Sequence, residues 1–207
     1  MRAALDVVWE TVRDWYNGLV GLATMNFVWF LLGMTVILLP PATAGLYVVT
    51  HSLARGKGAH FSDLWLGMQR YAWVSYRWAL ANAVVAAILV VGIDFYGRTA
   101  GAVGVFIQVM FACAGLLWIA VQFYTWPFLV VQPVAHLRLA LKNALFLALA
   151  NPVYDFVLLG TTALALVLSL LTILPLAVFL TSFVALLGSR AVTERLTTYG
   201  KLPDMIV

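Results

Sequence analysis

The chain has 207 residues, 64% of them hydrophobic and only 10% charged, whereas a soluble domain carries about 45–50% apolar and about 25% charged residues. This excludes an ordinary water-soluble globule and makes the bilayer the chain's solvent. The formal net charge of +4 comes from Lys and Arg scattered singly between apolar runs, so it reads as a topology signal, and no nucleic-acid partner is expected.

Asp, Glu, Lys and Arg are absent from residues 15–54, 78–93, 99–137 and 156–189, and a helical span needs about 20 mostly apolar residues. In hydrocarbon every backbone N–H and C=O must be bonded internally, which leaves helices or closed barrels. Barrel strands alternate apolar and polar residues, and these runs are unbroken Leu, Val, Ala and Phe. The expected fold is therefore all-α. It is a polytopic helical membrane protein, a single membrane domain over 1–207, with five to six hydrophobic segments plus amphipathic interfacial or cytoplasmic helices. Ala42-Thr43-Ala44 has the form of a signal-cleavage site, but Asp6, Glu10 and Asp14 precede an apolar run too long for a signal core. An uncleaved segment is expected.

In chain order, residues 1–19 place Leu5, Val8, Trp9, Val12, Trp15, Tyr16 and Leu19 at three- and four-residue steps, opposite Arg2, Asp6, Glu10 and Arg13. This predicts an amphipathic helix, lying along the headgroup boundary or packed on the protein's own surface. A first span is expected over 22–39, stopped by Pro40-Pro41, because each proline lacks an N–H and disfavours helix in the residue before it. Residues 42–54 read as a short helix of about 20 Å that crosses with its basic end snorkelling or re-enters. After Arg55-Gly56-Lys57-Gly58, an amphipathic stretch with Phe61, Leu64, Trp65 and Met68 on one side, and Ser62 as N-cap, leads into a span over 73–93. Within it Ala79, Ala83 and Ala87 fall at four-residue spacing, a small-residue face for a neighbouring helix, and Gly97 and Gly101 form a second small pair. The next run, 101–126, is expected to end at Trp126-Pro127. Residues 134–150, with Leu137, Leu141, Leu145 and Leu149 in line, form a cytoplasmic amphipathic helix ended by Asn151-Pro152. Spans over 156–173 and 175–187 follow, and Arg190, Arg195 and Lys201 mark the exit to a cytoplasmic tail.

If all six segments cross, eleven of the twelve Lys and Arg lie on one side and only Arg98 opposite. If 42–54 only dips in, the N-terminus moves outside and the division becomes nine to three. The positive-inside rule favours the first arrangement: a multi-pass protein of the inner (plasma) membrane with both termini cytoplasmic. An amphipathic helix followed by a span at 61–93 and again at 137–173 suggests an internal repeat, although membrane periodicity alone generates such pairs.

The predicted spans contain no ionisable residue; Arg77, Asp94 and Asp155 fall at their ends, where snorkelling or capping accounts for them. His51, His60 and His136 have no helical ligand spacing, so neither a metal nor a cofactor is expected. Cys113 reads as inert packing, and Phe123, Tyr124, Trp126 and Phe128 as an interfacial aromatic belt. Gly56-Lys57 lacks the earlier glycine and the following hydroxyl of a phosphate loop, and no Ser/His/Asp, HExxH or CxxC pattern occurs. No catalytic residue is assigned and an enzyme is not expected. Arg138 and Lys142 lie four apart on a helix and repel unless something negative is near. Together with Arg55 and Lys57 they are expected to meet lipid phosphates or an acidic partner.

The stretch Asn26-Phe27-Val28-Trp29-Phe30-Leu31-Leu32, then Pro40-Pro41-Ala42-Thr43-Ala44-Gly45-Leu46-Tyr47, Arg55-Gly56-Lys57 and the helix around Phe61, resembles the YesL-like family of bacterial integral membrane proteins. The later match is Leu139-Ala140-Leu141-Lys142-Asn143-Ala144 through Asn151-Pro152; Pro40 stands where that family usually has Gly. The family is of unknown activity. The resemblance implies a non-catalytic accessory subunit of a larger membrane complex, associated with carbohydrate-uptake ABC transport systems, with the lipid bilayer and ABC transporter subunits as partners. The 134–150 helix has neither the Glu nor the Gly of a permease coupling motif. The other readings from the residues are a small-solute transporter in its own right, built from the repeat and the proline-broken helices, or a pigment- or quinone-associated subunit of an energy-transducing complex using His51 or His136.

Overall fold

The structure, a computed structural model, describes residues 2–99, 101–172 and 180–200. These form eight α-helices and no strand: α1 (Arg2–Asn17), α2 (Leu19–Gly33), α3 (Leu39–Ala54), α4 (Phe61–Gly97), α5 (Ala102–Val131), α6 (Leu137–Ala150), α7 (Pro152–Thr172) and α8 (Thr181–Thr198).

The all-helical fold expected from the uncharged runs is what forms, but with fewer spans. Three helices are long and apolar enough to cross a membrane: Phe61–Gly97, Ala102–Val131 and Pro152–Leu170. A fourth is reached if α1 and α2, bent by 87° to one another, count as one broken span. The expected five to six also counted 22–39, 42–54 and 175–187 as crossings. With 15 and 16 residues, α2 and α3 extend only about 22–24 Å at 1.5 Å per residue, short of the roughly 30 Å of hydrocarbon.

The break between them does not fall at the prolines. α2 ends at Gly33, and residues 34–38 turn through Thr35, whose Oγ1 donates to Leu32 O at 2.6 Å and accepts from the Leu38 N–H at 3.2 Å. Val36 takes φ +59°, a left-handed conformation uncommon for a β-branched residue. Pro40 and Pro41 start α3 instead, where a missing N–H costs nothing because the first-turn N–H groups have no intrahelical acceptor. Trp29 Nε1 donates to Thr43 Oγ1 at 3.0 Å and pins the two helices into a hairpin. Its open ends meet, with Gly18 against the Leu53 side chain and Gly21 beside Ala59.

Packing makes α3 the centre of the molecule. Ala42, Ala44, Leu46 and Val49 have no exposed surface, and α2, α4, α5 and α8 all pack on it. A helix apolar on every side is a buried one, so the short segment of uncertain crossing is the core post of the bundle.

Other boundaries move for identifiable reasons. α4 begins at Phe61 with His60 as N-cap, so Ser62 lies inside the helix and not at its cap. The amphipathic stretch and the span are one unbroken 37-residue helix. The second half of the suggested repeat is two helices divided at Asn151, with Pro152 opening α7, so the repeat is not reproduced. α5 runs through Pro127 instead of stopping there. Proline at 127 leaves the Phe123 carbonyl without its helical donor, and α8 closes on it: a Cβ at Gly188 would stand 3.0 Å from that oxygen. Part of the span expected over 175–187 lies outside the described residues. α8 continues helical past Arg190 and Arg195 to Thr198, in place of the tail expected there; Lys201 lies outside the described residues.

One end of the bundle collects the chain's basic turns. Arg70 Nη2 reaches Pro133 O at 3.5 Å, Asn151 Nδ2 donates to Tyr199 OH at 2.9 Å, and Val7 lines one cavity with Ala54 and Thr197. At the far tip of the α4–α5 hairpin, Arg98 pairs with Asp94 at 2.7 Å. Between these ends, Leu80, Val84, Ile88, Val91 and Phe95 of α4 and Val103, Phe106, Val109 and Met110 of α5 are exposed on the protein, a surface suited to lipid.

Candidate functional site

Close helix approach is built at glycines that the spacing argument did not single out. A Cβ at Gly45 would lie 2.4 Å from the Leu64 carbonyl oxygen, and one at Gly67 would lie 2.8 Å from the Gly45 Cα. α3 and α4 therefore touch backbone to backbone, the contact that small residues permit in membranes. The expected small-residue line is elsewhere: Ala79 is half-buried, while Ala83 and Ala87 face outward on α4. Gly97 packs under the Gln108 side chain. Gly101, at φ +104°, is the N-cap of α5 and opens onto free space, so it turns the chain and packs nothing.

Above the glycine seam, α4 and α5 are joined by amides and indoles. Trp78 Nε1 donates to Gln122 Oε1 at 2.7 Å, Asn82 Nδ2 to the same oxygen at 3.2 Å, and Trp118 Nε1 to Asn82 Oδ1 at 3.1 Å. Trp126 stacks on Tyr47 and meets Trp78 edge-on. Cross-helix polar bonds inside an apolar hairpin fix its register, because the alternative is an unsatisfied amide in lipid. The aromatic cluster expected as an interfacial belt is thus largely internal, with Phe123, Tyr124, Trp126 and Phe128 all buried.

A second polar group forms where α5, α7 and α8 meet. Tyr124 OH donates to Asp155 Oδ1 at 2.5 Å, and Asp155 is only 6% exposed. Beside it Tyr154 OH donates to Glu194 Oε2 at 3.2 Å, and the Arg195 guanidinium lies 3.7 Å over the Tyr154 ring and 3.2 Å from the same carboxylate. Asp155 does sit in the first turn of α7, where a carboxylate complements the helix dipole. Capping alone does not account for it: burial against a tyrosine from another helix makes it a tie between helices. The sequence carried no signal for this pairing, because Tyr124 and Asp155 are 31 residues apart.

α1 is held in both of the ways its pattern allowed. Ala4, Val7 and Thr11 are buried against the bundle, while Leu5, Trp9, Val12 and Tyr16 form an outward apolar stripe suited to an interface. Arg190 of α8 pairs with Glu10 at 2.7 Å and with Asp14. Exposed pairs contribute only about 0–1 kcal/mol, but two on one guanidinium anchor the helix. Arg190→Gln is expected to raise deuterium exchange in residues 2–17 about fivefold, the equivalent of about 1 kcal/mol of local opening, while exchange in α3 stays unchanged.

At the basic end, α3, α4 and α5 line a cavity of about 340 Å³, open to the surface, whose polar lining is His51, Ser52, Arg55, Asp63, Arg70 and Tyr71. His51 is 7% exposed, and neither ring nitrogen has a hydrogen-bond partner. A buried polar group left unbonded costs about 1–3 kcal/mol. His51 in the last turn of α3 and Arg55 at its C-cap lie outside the three spanning segments. Burial, with Arg55 and Lys57 nearby, pushes the His51 imidazole down to about 4, so it is neutral at physiological pH, and burial also lowers Arg55. Of the four expected phosphate-contacting residues, Arg55 lines this cavity and Lys57 is exposed beyond it. Arg138 and Lys142 lie separately on the outer face of α6, with Lys142 5.8 Å over the Phe146 ring. His60 and His136 are exposed N-caps, and Cys113 is exposed on α5. Among the described residues no group of three His, Cys, Asp or Glu comes together as a metal site. Compared with protein-family models, with curated proteins and with solved structures, the chain matches none.

Proposed function

We propose that the protein is a non-catalytic subunit that docks sideways within the membrane on a larger assembly, through the outer face of the α4–α5 hairpin. The observation that carries this reading is the groove on that face, about 440 Å³, lined by Ala87, Ile88, Val91, Phe95, Tyr96 and Phe111. Ala83 and Ala87 leave room beside it for a partner helix to approach closely. Its occupant is a transmembrane helix of another membrane protein. The resemblance to the YesL-like family makes a carbohydrate-uptake ABC transport system the partner class. The interior polar groups support a scaffold, since the Gln122 and Asp155 networks join helices to one another instead of lining a path.

The proposed topology places both termini and the basic end in the cytoplasm and Arg98 outside, in the inner membrane. α2 and α3 enter and leave on one side as a hairpin, and Arg190 of α8 pairs with Glu10 and Asp14 of α1, which puts the basic residues of α8 on the side of Arg2 and Arg13 and supports the eleven-to-one division. Lys57, Arg138 and Lys142 then face lipid phosphates on the cytoplasmic side.

A photo-crosslinking amino acid at Ala83 or Ala87, irradiated in native membranes, is expected to give a discrete protein adduct, with Leu116 on the neighbouring helix as the reference position. Only lipid adducts at both alanines, with the chain migrating alone from gently solubilised membranes, would overturn the reading.

A further inference from the structure

We infer that the cavity between α3, α4 and α5 binds a phosphate ester, held by the guanidinium groups of Arg55 and Arg70 and by the His51 imidazole. This site lies at the opposite end of α4 from the docking groove and does not depend on it.

Three donors of the right kind converge on one space. Arg55 caps α3, and its backbone N–H bonds the carbonyls of His51 and Ser52; Arg70 comes from α4. Both line the cavity, and among the described residues neither has a carboxylate within ion-pair distance. Arg70 is held instead by the Pro133 carbonyl and by the Tyr71 ring 5.5 Å away, which aims a planar donor fork without neutralising it. Guanidinium forks match phosphate oxygens two at a time.

The independent observation is His51. It is more than nine-tenths buried, forms part of the cavity wall and has both ring nitrogens unbonded. A neutral imidazole offers one N–H donor and one acceptor; both nitrogens lie just beneath the cavity surface, and a turn of the ring brings the N–H to a phosphate oxygen, which supplies the acceptor that the protein does not. Ser52 adds a hydroxyl to the same wall. Asp63 lies there too, and a carboxylate disfavours a second anion but accepts from a hydroxyl. The ligand is therefore a phosphate ester with a free hydroxyl on its alcohol part, for which the cavity of about 340 Å³ has room beyond the phosphate. A phospholipid headgroup and a soluble phosphate ester share this chemistry.

The test uses the full chain in phosphatidylcholine nanodiscs. One arm titrates glycerol 3-phosphate by calorimetry; the other exchanges phosphatidylglycerol into the discs and counts retained lipid by native mass spectrometry. Saturable binding is expected in one arm, and the arm identifies the source. The pair Arg55→Gln with Arg70→Gln, and His51→Gln alone, are each expected to weaken it about tenfold or more, the loss of a hydrogen bond to a charged group, while Arg98→Gln at the far tip leaves it unchanged. In the unaltered protein, ¹⁵N signals of the His51 ring are expected to shift on titration, a readout that survives if a variant fails to fold. No binding in either arm, binding indifferent to the arginine pair, or a His51 signal that stays fixed at saturation would each overturn the inference.

Discussion

Gly45→Leu is expected to abolish the α3–α4 seam, with loss of monodisperse protein from detergent extracts. Even Gly45→Ala or Gly67→Ala is expected to destabilise by about 1–3 kcal/mol, because the added methyl meets backbone atoms that cannot rotate away. Two effects oppose each other here. In an unobstructed helix, Gly→Ala stabilises by up to about 1 kcal/mol through propensity. At Gly45 the nearest atom is a carbonyl oxygen 2.4 Å from the new Cβ, so the clash wins. Gly160 of α7 is the matched case, with nothing within 4 Å of a Cβ, and Gly160→Ala is expected to raise the thermal midpoint slightly. A protein of this size moves about 2–4 °C per kcal/mol, so opposite shifts at the two positions are measurable in one detergent. Equal shifts would mean that the helices do not touch at Gly45.

Tyr124→Phe is expected to cost about 1–3 kcal/mol, since it strands a carboxylate that is 6% exposed. Removing both partners, as in Tyr124→Phe with Asp155→Leu, is expected to be less damaging than the sum of the single changes, because no buried polar group is left unpaired. The measurement is a double-mutant cycle on thermal midpoints in detergent. Additive losses would return Asp155 to the simple helix-capping role its position suggests.

These two sites differ in how visible they were. Gly45 and Gly67 stand in plain view in the sequence, but helical spacing singles out Ala79, Ala83 and Ala87 with equal force. Which small residues face a neighbour depends on where the chain folds back, and for α3 on α4 that is set by the turn over 55–60, where Gly56 and Gly58 take positive φ. Asn82 and Gln122 were legible in principle, as amides within apolar runs, whereas Tyr124–Asp155 and the Arg55–Arg70–His51 cavity join residues from helices packed side by side only in the fold.

The uncharged runs alone determined that this chain is helical and suited to a bilayer, because hydrocarbon leaves the backbone only helices or closed barrels and these runs do not alternate as barrel strands do. Tertiary structure decided how many segments are long enough to cross, since helix length depends on where turns and bends fall. It also made α3 the buried centre and placed a neutral imidazole in one cavity wall with two arginines. Composition reports the solvent a helix prefers, but not which other helix takes that solvent's place.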